Sequence, residues 1–202
     1  MRRRALDDVL AFGFATLVCL FAGGAAAQFA GARPAHPAWV TATASPALRL
    51  LTPASFPPPA GASVDRPGNR ILLGPGRSRL TLLAGPADAM MSFRIAGLTN
   101  PAIELPLGSS VVLTVINVDD DMSHNFALSS HAPPFPVQPA LAGVLATPVL
   151  PSPARGVFHA AVLTLRAVRP GAGFYLCAIA GHARAGMFGK FIVVASSSRK
   201  AP

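Results

Sequence analysis

Cys177, His182 and Met187 stand five residues apart in "FYLCAIAGHARAGMFGK", residues 174–190. Thiolate and thioether are soft sulfur donors and imidazole is borderline, a set that suits copper better than a hard cation. Three donors do not complete a site, and the segment "INVDDDMSHNFALSS" supplies the fourth. His124 opens a candidate strand there, just after the acidic run Asp119-Asp120-Asp121. In a β-sandwich, the end of the apolar strand 110–118 can lie beside the loop after "FYLC". His124 then approaches Cys177 and His182 from a distant part of the chain. Two imidazoles and a thiolate in a trigonal plane, with a long axial Met, form the ligand set of blue-copper electron-transfer sites.

Other residues compete for these roles. His131 follows Ser129-Ser130 at a strand end and His159 begins a strand, so both are expected to be non-ligands. His36 falls in a Pro-rich lead-in and is expected to be solvated. Met122 reads as packing, and Met90 and Met91 as strand residues. The acidic run reads as a solvated loop able to bias a partner's approach.

The elements that must hold these ligands are short. Hydrophobic residues make up 51% of the 202-residue chain, enough for a sizeable core, while charged residues are only 12%. With 21 Pro and 18 Gly, long helices are disfavoured and an all-β domain is expected. From residue 69, apolar runs are cut by turn residues. Candidate strands are "RILL", "RLTLLA", "MMSFRIAG", "AIELPL", "SVVLTVINV", "HNFALSS", "HAAVLTLRAV", "GFYLCAI" and "KFIVVA". Turn signals between them include Gly74-Pro75-Gly76, Gly85-Pro86, Leu107-Gly108 and Pro170-Gly171-Ala172-Gly173. This rhythm predicts a β-sandwich over 69–202. The Pro-rich stretch 132–156 interrupts it and is expected to lie as an ordered loop across one face, covering apolar residues.

The first 27 residues read as an export signal or a membrane anchor. "MRRR" is a basic start, and "VLAFGFATLVCLFAGGAAA" is apolar and ends in small side chains before Gln28. Residues 28–68, rich in Pro, Ala and Ser, read as a linker or an N-terminal extension. Cys19 lies in the apolar stretch, so the exported part carries Cys177 alone and cannot form an internal disulfide. A single cysteine in an oxidising compartment favours a metal ligand or reactive thiol.

The formal net charge is +9, without a basic stripe or interleaved aromatics, so a nucleic-acid role is not expected. The charge instead suits steering toward an acidic partner or an anionic surface. Residues 28–202 hold six Asp and Glu, so few carboxylates can be lost to protonation in acid.

From about Met90 to Val194 the chain resembles the cupredoxins, and among them most the rusticyanin group, with the sulfocyanins next. The resemblance rests on "MSFRIAGLTNPAIELPLGSSVVLTVIN", on "HNF", and above all on "GFYLCAIAGHARAGMFGKFIVV", with its Cys-x4-His-x4-Met spacing. It implies a Greek-key β-sandwich and one type 1 copper bound by His124, Cys177, His182 and Met187. Asn125 stands where rusticyanins carry Ser and where most other cupredoxins carry Asn. Its N–H is expected to donate to the Cys177 sulfur and its side chain to clamp the ligand loop. Phe126, Phe174, Leu176, Ile179 and Phe188 are expected to keep the metal dry. His182 would be the electron port, in a patch of Ala180, Gly181, Ala183, Ala185 and Pro133–Phe135, with Arg184 orienting the partner.

The implied function is one-electron transport in a respiratory chain, at relatively high potential, in the periplasm. A c-type cytochrome would be the partner, and the carrier a monomer, with or without a membrane tether. A copper oxidase or nitrite reductase needs further His-x-His or His-Cys-His ligands, and a binuclear copper centre needs a second nearby Cys; neither pattern occurs. A periplasmic copper chaperone or storage protein is the alternative, but it would favour exposed Met-rich or Cys-rich tracts.

Overall fold

The computed structural model describes residues 38–43, 47–139 and 145–195. The signal or anchor reading of 1–27, and His36, lie outside the described residues. Two mixed sheets pack face to face. The first is seven-stranded, in the order β1 (Val40–Ala42), β11 (Phe158–Ala167), β9 (Ser110–Asn117), β5 (Arg77–Ala84), β6 (Phe93–Ile95), β7 (Leu98–Thr99). Its remaining strand, β2 (Ala47–Leu51), also pairs with β11. The six-stranded sheet runs β10 (Ala127–Ser129), β12 (Gly171–Leu176), β13 (Phe188–Val194), β8 (Ala102–Pro106), β4 (Arg70–Leu73), β3 (Ala62–Asp65).

Alternation makes the sandwich. In β5, Ser78, Leu80, Leu82 and Ala84 turn inward while Arg77 and Arg79 stay in solvent. Leu113 and Leu163 of one sheet meet Ile71, Ile103 and Phe191 of the other in one core cluster. Each such fully buried side chain contributes about 1.5–3 kcal/mol relative to exposure. Phe126 stacks on Tyr175 at 5.8 Å between ring centroids, and Phe93 meets both edge-on. Tyr175 donates its hydroxyl to the Pro101 carbonyl at 2.7 Å, so its polar tip is satisfied inside the core.

From residue 69 most strands fall where the apolar runs predict them, with some shortening. "MMSFRIAG" contributes β6 alone, and in "HNFALSS" only 127–129 form a strand. The predicted turn 170–173 is strand from Gly171 onward. The reason is Trp39: a Cβ on Gly171 would come within 2.7 Å of its indole, and one on Gly173 within 2.5 Å. Glycine here makes room for a ring across the strand. Trp39 also stacks on Phe191 at 5.6 Å, while the adjacent Val40 pairs with Ala167 of the other sheet. Within the segment read as linker or extension, the described residues between 39 and 65 thus carry three strands and the buried Trp39. The Pro-rich loop is ordered where described, with Leu145 and Leu150 in the core.

Candidate metal centre

His124 is placed by a chain of buried polar groups at the end of β9. The Asn117 amide nitrogen lies 2.8, 2.9 and 3.0 Å from the carbonyls of Met122, Leu150 and Pro151, and its Oδ1 accepts the Asp119 N–H. Asp119 Oδ1 accepts the N–H groups of Asp121 and Met122, both at 3.0 Å, which folds the acidic run into a tight turn. Asp119 Oδ2 lies 2.9 Å from His124 Nε2, both side chains fully buried. From the opposite side, Leu150 exchanges both backbone hydrogen bonds with His124, and Thr147 Oγ1 accepts the Phe126 N–H.

The ligand loop begins where β12 ends and finishes where β13 begins. Cys177 N–H donates to the Met187 carbonyl and Met187 N–H to the His182 carbonyl, both at 3.0 Å. Gly181 and Gly186, at φ +86° and +108°, take the left-handed turns that this closure requires. Three neighbouring segments fasten the loop from outside. Asn100 Nδ2 donates to the Gly186 carbonyl, Val137 C=O accepts the Gly181 N–H, and Gln138 Nε2 donates to the Ala178 carbonyl. Asn125 Oδ1 accepts the Ala178 N–H at 2.7 Å.

These elements bring three donor atoms together. His182 Nδ1 is 3.2 Å from His124 Nδ1 and 3.5 Å from Cys177 Sγ, and Cys177 Sγ is 3.8 Å from His124 Nδ1. A point in their plane lies about 2.0 Å from all three, the reach of first-row metal–nitrogen bonds and slightly short of metal–sulfur. The donor set therefore fits one copper ion, with buried Met187 beside it at the loop's end. Asp119 accepts from three donors, so His124 carries its proton on Nε2 and leaves the Nδ1 lone pair free for metal.

The electrostatics agree with this arrangement. Burial alone would raise the Asp119 pKa, but hydrogen bonds from His124, Asp121 and Met122 outweigh it and hold the carboxyl below its ordinary range. Burial, helped by the neighbouring His124, lowers the His182 pKa and favours the neutral ring that a metal needs, although Asp119 pulls the other way. Burial pushes the Cys177 thiol up, against the N–H of Asn125 and of Ile179, so the free protein holds a protonated thiol.

Among the described residues the candidate metal-binding cluster is His124, Cys177 and His182. His131 is exposed on its loop and His159 sits on β11 opposite Leu50. Phe126 and Ile179 share the core cluster with Cys177 and Met187. Phe174, Leu176 and Phe188 do not: strand alternation sends them to a second cluster with Phe135, Ala178 and Ala183. That overturns part of the expected surface patch, because Phe135 and Ala183 are buried there. Ala180, Ala185, Pro133 and Pro134 are exposed, as is Arg184. His182, at 8%, is the one ligand with measurable exposure; His124, Cys177 and Met187 have none.

Asp119, expected in a solvated loop with its acidic neighbours, is buried instead. Its burial follows from Asn117, whose position at the end of an apolar strand marks an Asx turn. The fastenings by Asn100, Gln138 and Thr147 carry no sequence signal, since each depends on tertiary placement.

A two-sheet Greek-key sandwich holding His, Cys, His and Met at one end is a cupredoxin with a type 1 copper site. Over 111 residues the chain is 37% identical to rusticyanin of Acidithiobacillus ferrooxidans, covering 54% of this chain and 70% of that protein. It therefore belongs to the rusticyanin family of blue copper electron carriers. Rusticyanin of Acidithiobacillus ferridurans is likewise 37% identical over 111 residues, which span 58% of its length. The solved structure of reduced rusticyanin at 1.9 Å superposes with a TM-score of 0.65 at 26% identity, covering 73% of this chain and 100% of that one. The 1.27 Å structure of rusticyanin from Thiobacillus ferrooxidans gives the same TM-score over 97% of its length. No protein-family model matches the chain.

Proposed function

We propose that the protein is an exported one-electron carrier of a respiratory chain, working at relatively high potential and exchanging electrons with a c-type cytochrome. When bound, copper would supply a Cu(II)/Cu(I) couple suited to one-electron exchange between a reduced donor and an acceptor. The Cys177 thiolate would hold the metal and offer the main covalent path between it and the protein. Met187 as a weak thioether donor, and the apolar packing of Phe126 and Ile179, would favour Cu(I) and raise the potential.

One observation carries the reading: the donor cluster is sealed, and His182 alone among the ligands reaches the surface. A sealed site admits an electron and excludes a substrate. The His182 ring edge is the port, and Arg184 beside it, with the net positive charge, orients an acidic partner surface. Export rests on the basic-then-apolar N-terminus. Among the described residues, no helix is long and apolar enough to cross a membrane. We take the carrier to be a monomer.

Copper reconstitution followed by visible spectroscopy and voltammetry tests the proposal. An intense blue band, lost in Cys177→Ser, with a reversible one-electron wave is expected, together with salt-sensitive electron exchange with a reduced c-type cytochrome. A colourless Cu(II) protein would sink the type 1 assignment. A blue protein that hands its copper readily to a competing chelator, without a reversible wave, would point to a copper chaperone or storage protein.

A further inference from the structure

We infer that Asp119 is the positioning residue of His124 and that its buried negative charge holds the copper potential below what the rest of the site would give. The inference rests on the carrier reading above and deepens it.

The observations are geometric. Asp119 Oδ2 meets His124 Nε2 at 2.9 Å, and neither side chain has any solvent exposure. The other carboxylate oxygen is occupied by two backbone N–H groups, so the carboxylate cannot rotate away without stranding them. Gly85, at the end of β5 and at φ +69°, lies directly against the pair. A Cβ there would come within 2.5 Å of both His124 Nε2 and the Asp119 Cβ. The backbone therefore closes over the hydrogen bond where a side chain would force it open. Asp120 and Asp121, next in the same run, are exposed.

Two consequences follow. The imidazole is fixed in one tautomer and one rotation, with Nδ1 toward Cys177 and His182. A full negative charge is also placed one ring away from the metal, in a medium that screens it poorly. That charge stabilises Cu(II) more than Cu(I), and makes the imidazole a stronger donor. Met187 and the apolar shell pull the couple up, and Asp119 pulls it down. The working potential is the balance.

The test compares copper-loaded wild type, Asp119→Asn and Asp120→Asn by voltammetry. Asp119→Asn should favour Cu(I) at least tenfold more than wild type, about 59 mV for a one-electron couple. Asp120→Asn removes the same formal charge from an exposed position and should shift the ratio less than threefold. Equal shifts in the two variants, or a fall in potential for Asp119→Asn, would overturn the buried-charge role. An independent arm needs no variant: nitrogen NMR of metal-free wild type should find the His124 proton on Nε2. A proton on Nδ1 would overturn the positioning role, even if Asp119→Asn fails to fold. Failure of the carrier reading looks different, as an absent blue band or absent wave in wild type, and leaves the NMR result standing.

Discussion

The backbone N–H of Asn125 points at the Cys177 sulfur from 3.5 Å, and the Asn125 side chain reaches past it to accept the Ala178 N–H at 2.7 Å. One residue thus touches the metal-binding sulfur and pins the loop that carries it. Asn125→Ala keeps the first contact and removes the second, leaving the Ala178 N–H buried without a partner. Denaturant unfolding of the metal-free variant should show a loss of about 1–3 kcal/mol. Hydrogen exchange at Ala178 should quicken with it; an unchanged midpoint would show that the clamp is dispensable.

The four described histidines divide cleanly. His124→Ala and His182→Ala should each abolish the blue band on copper loading, while His131→Ala and His159→Ala should keep it. A blue His124→Ala protein would mean that the fourth ligand comes from elsewhere.

Metal uptake should release protons in a way that identifies the thiol. Burial raises the Cys177 pKa and lowers that of His182, so at neutral pH the thiol is protonated and the His182 ring is neutral. Zinc titrated into the metal-free protein in weakly buffered solution should release about one proton per ion, and Cys177→Ser should nearly abolish the release. Because the metal competes with that proton below the raised thiol pKa, apparent affinity should fall about tenfold for each pH unit of acidification. A pH-independent affinity would show that the free thiol is already ionised.

Trp39 tests whether the N-terminal strands belong to the fold. Its ring fills the space over Gly171 and Gly173 and stacks on Phe191, with 6% of its surface exposed. Trp39→Ala should destabilise the protein by about 3–5 kcal/mol, read as a lowered unfolding midpoint. A shift within error would place residues 38–51 outside the cooperative unit.

The ligand set and most strands were legible because each is written locally. Cys177, His182 and Met187 lie on one loop with fixed spacing, and β5, β9 and β11 alternate or run apolar over eight or more residues. What was hidden depends on partners distant in sequence. β2 is almost wholly exposed, with Leu48 and Leu50 in solvent, so it carries no alternation; β11 alone makes it a strand. Asp119 looks like its exposed neighbours, and only Asn117, Gly85 and His124 together make it a buried anion. Phe188 could be assigned a side only once the pleat of β13 was known, and Ala183 only once the ligand loop was folded over Phe135.

The fastenings of the ligand loop end beside its ligands: Ala178 next to Cys177, Gly181 next to His182, Gly186 next to Met187. The backbone under Cys177, His182 or Met187 cannot shift without breaking a neighbouring hydrogen bond, so metal exchange that needs loop movement should follow local opening of the segment. The lifetime of the bound metal is then set by how tightly Asn100, Asn125 and Val137 hold the backbone, as much as by the strength of the metal–ligand bonds themselves.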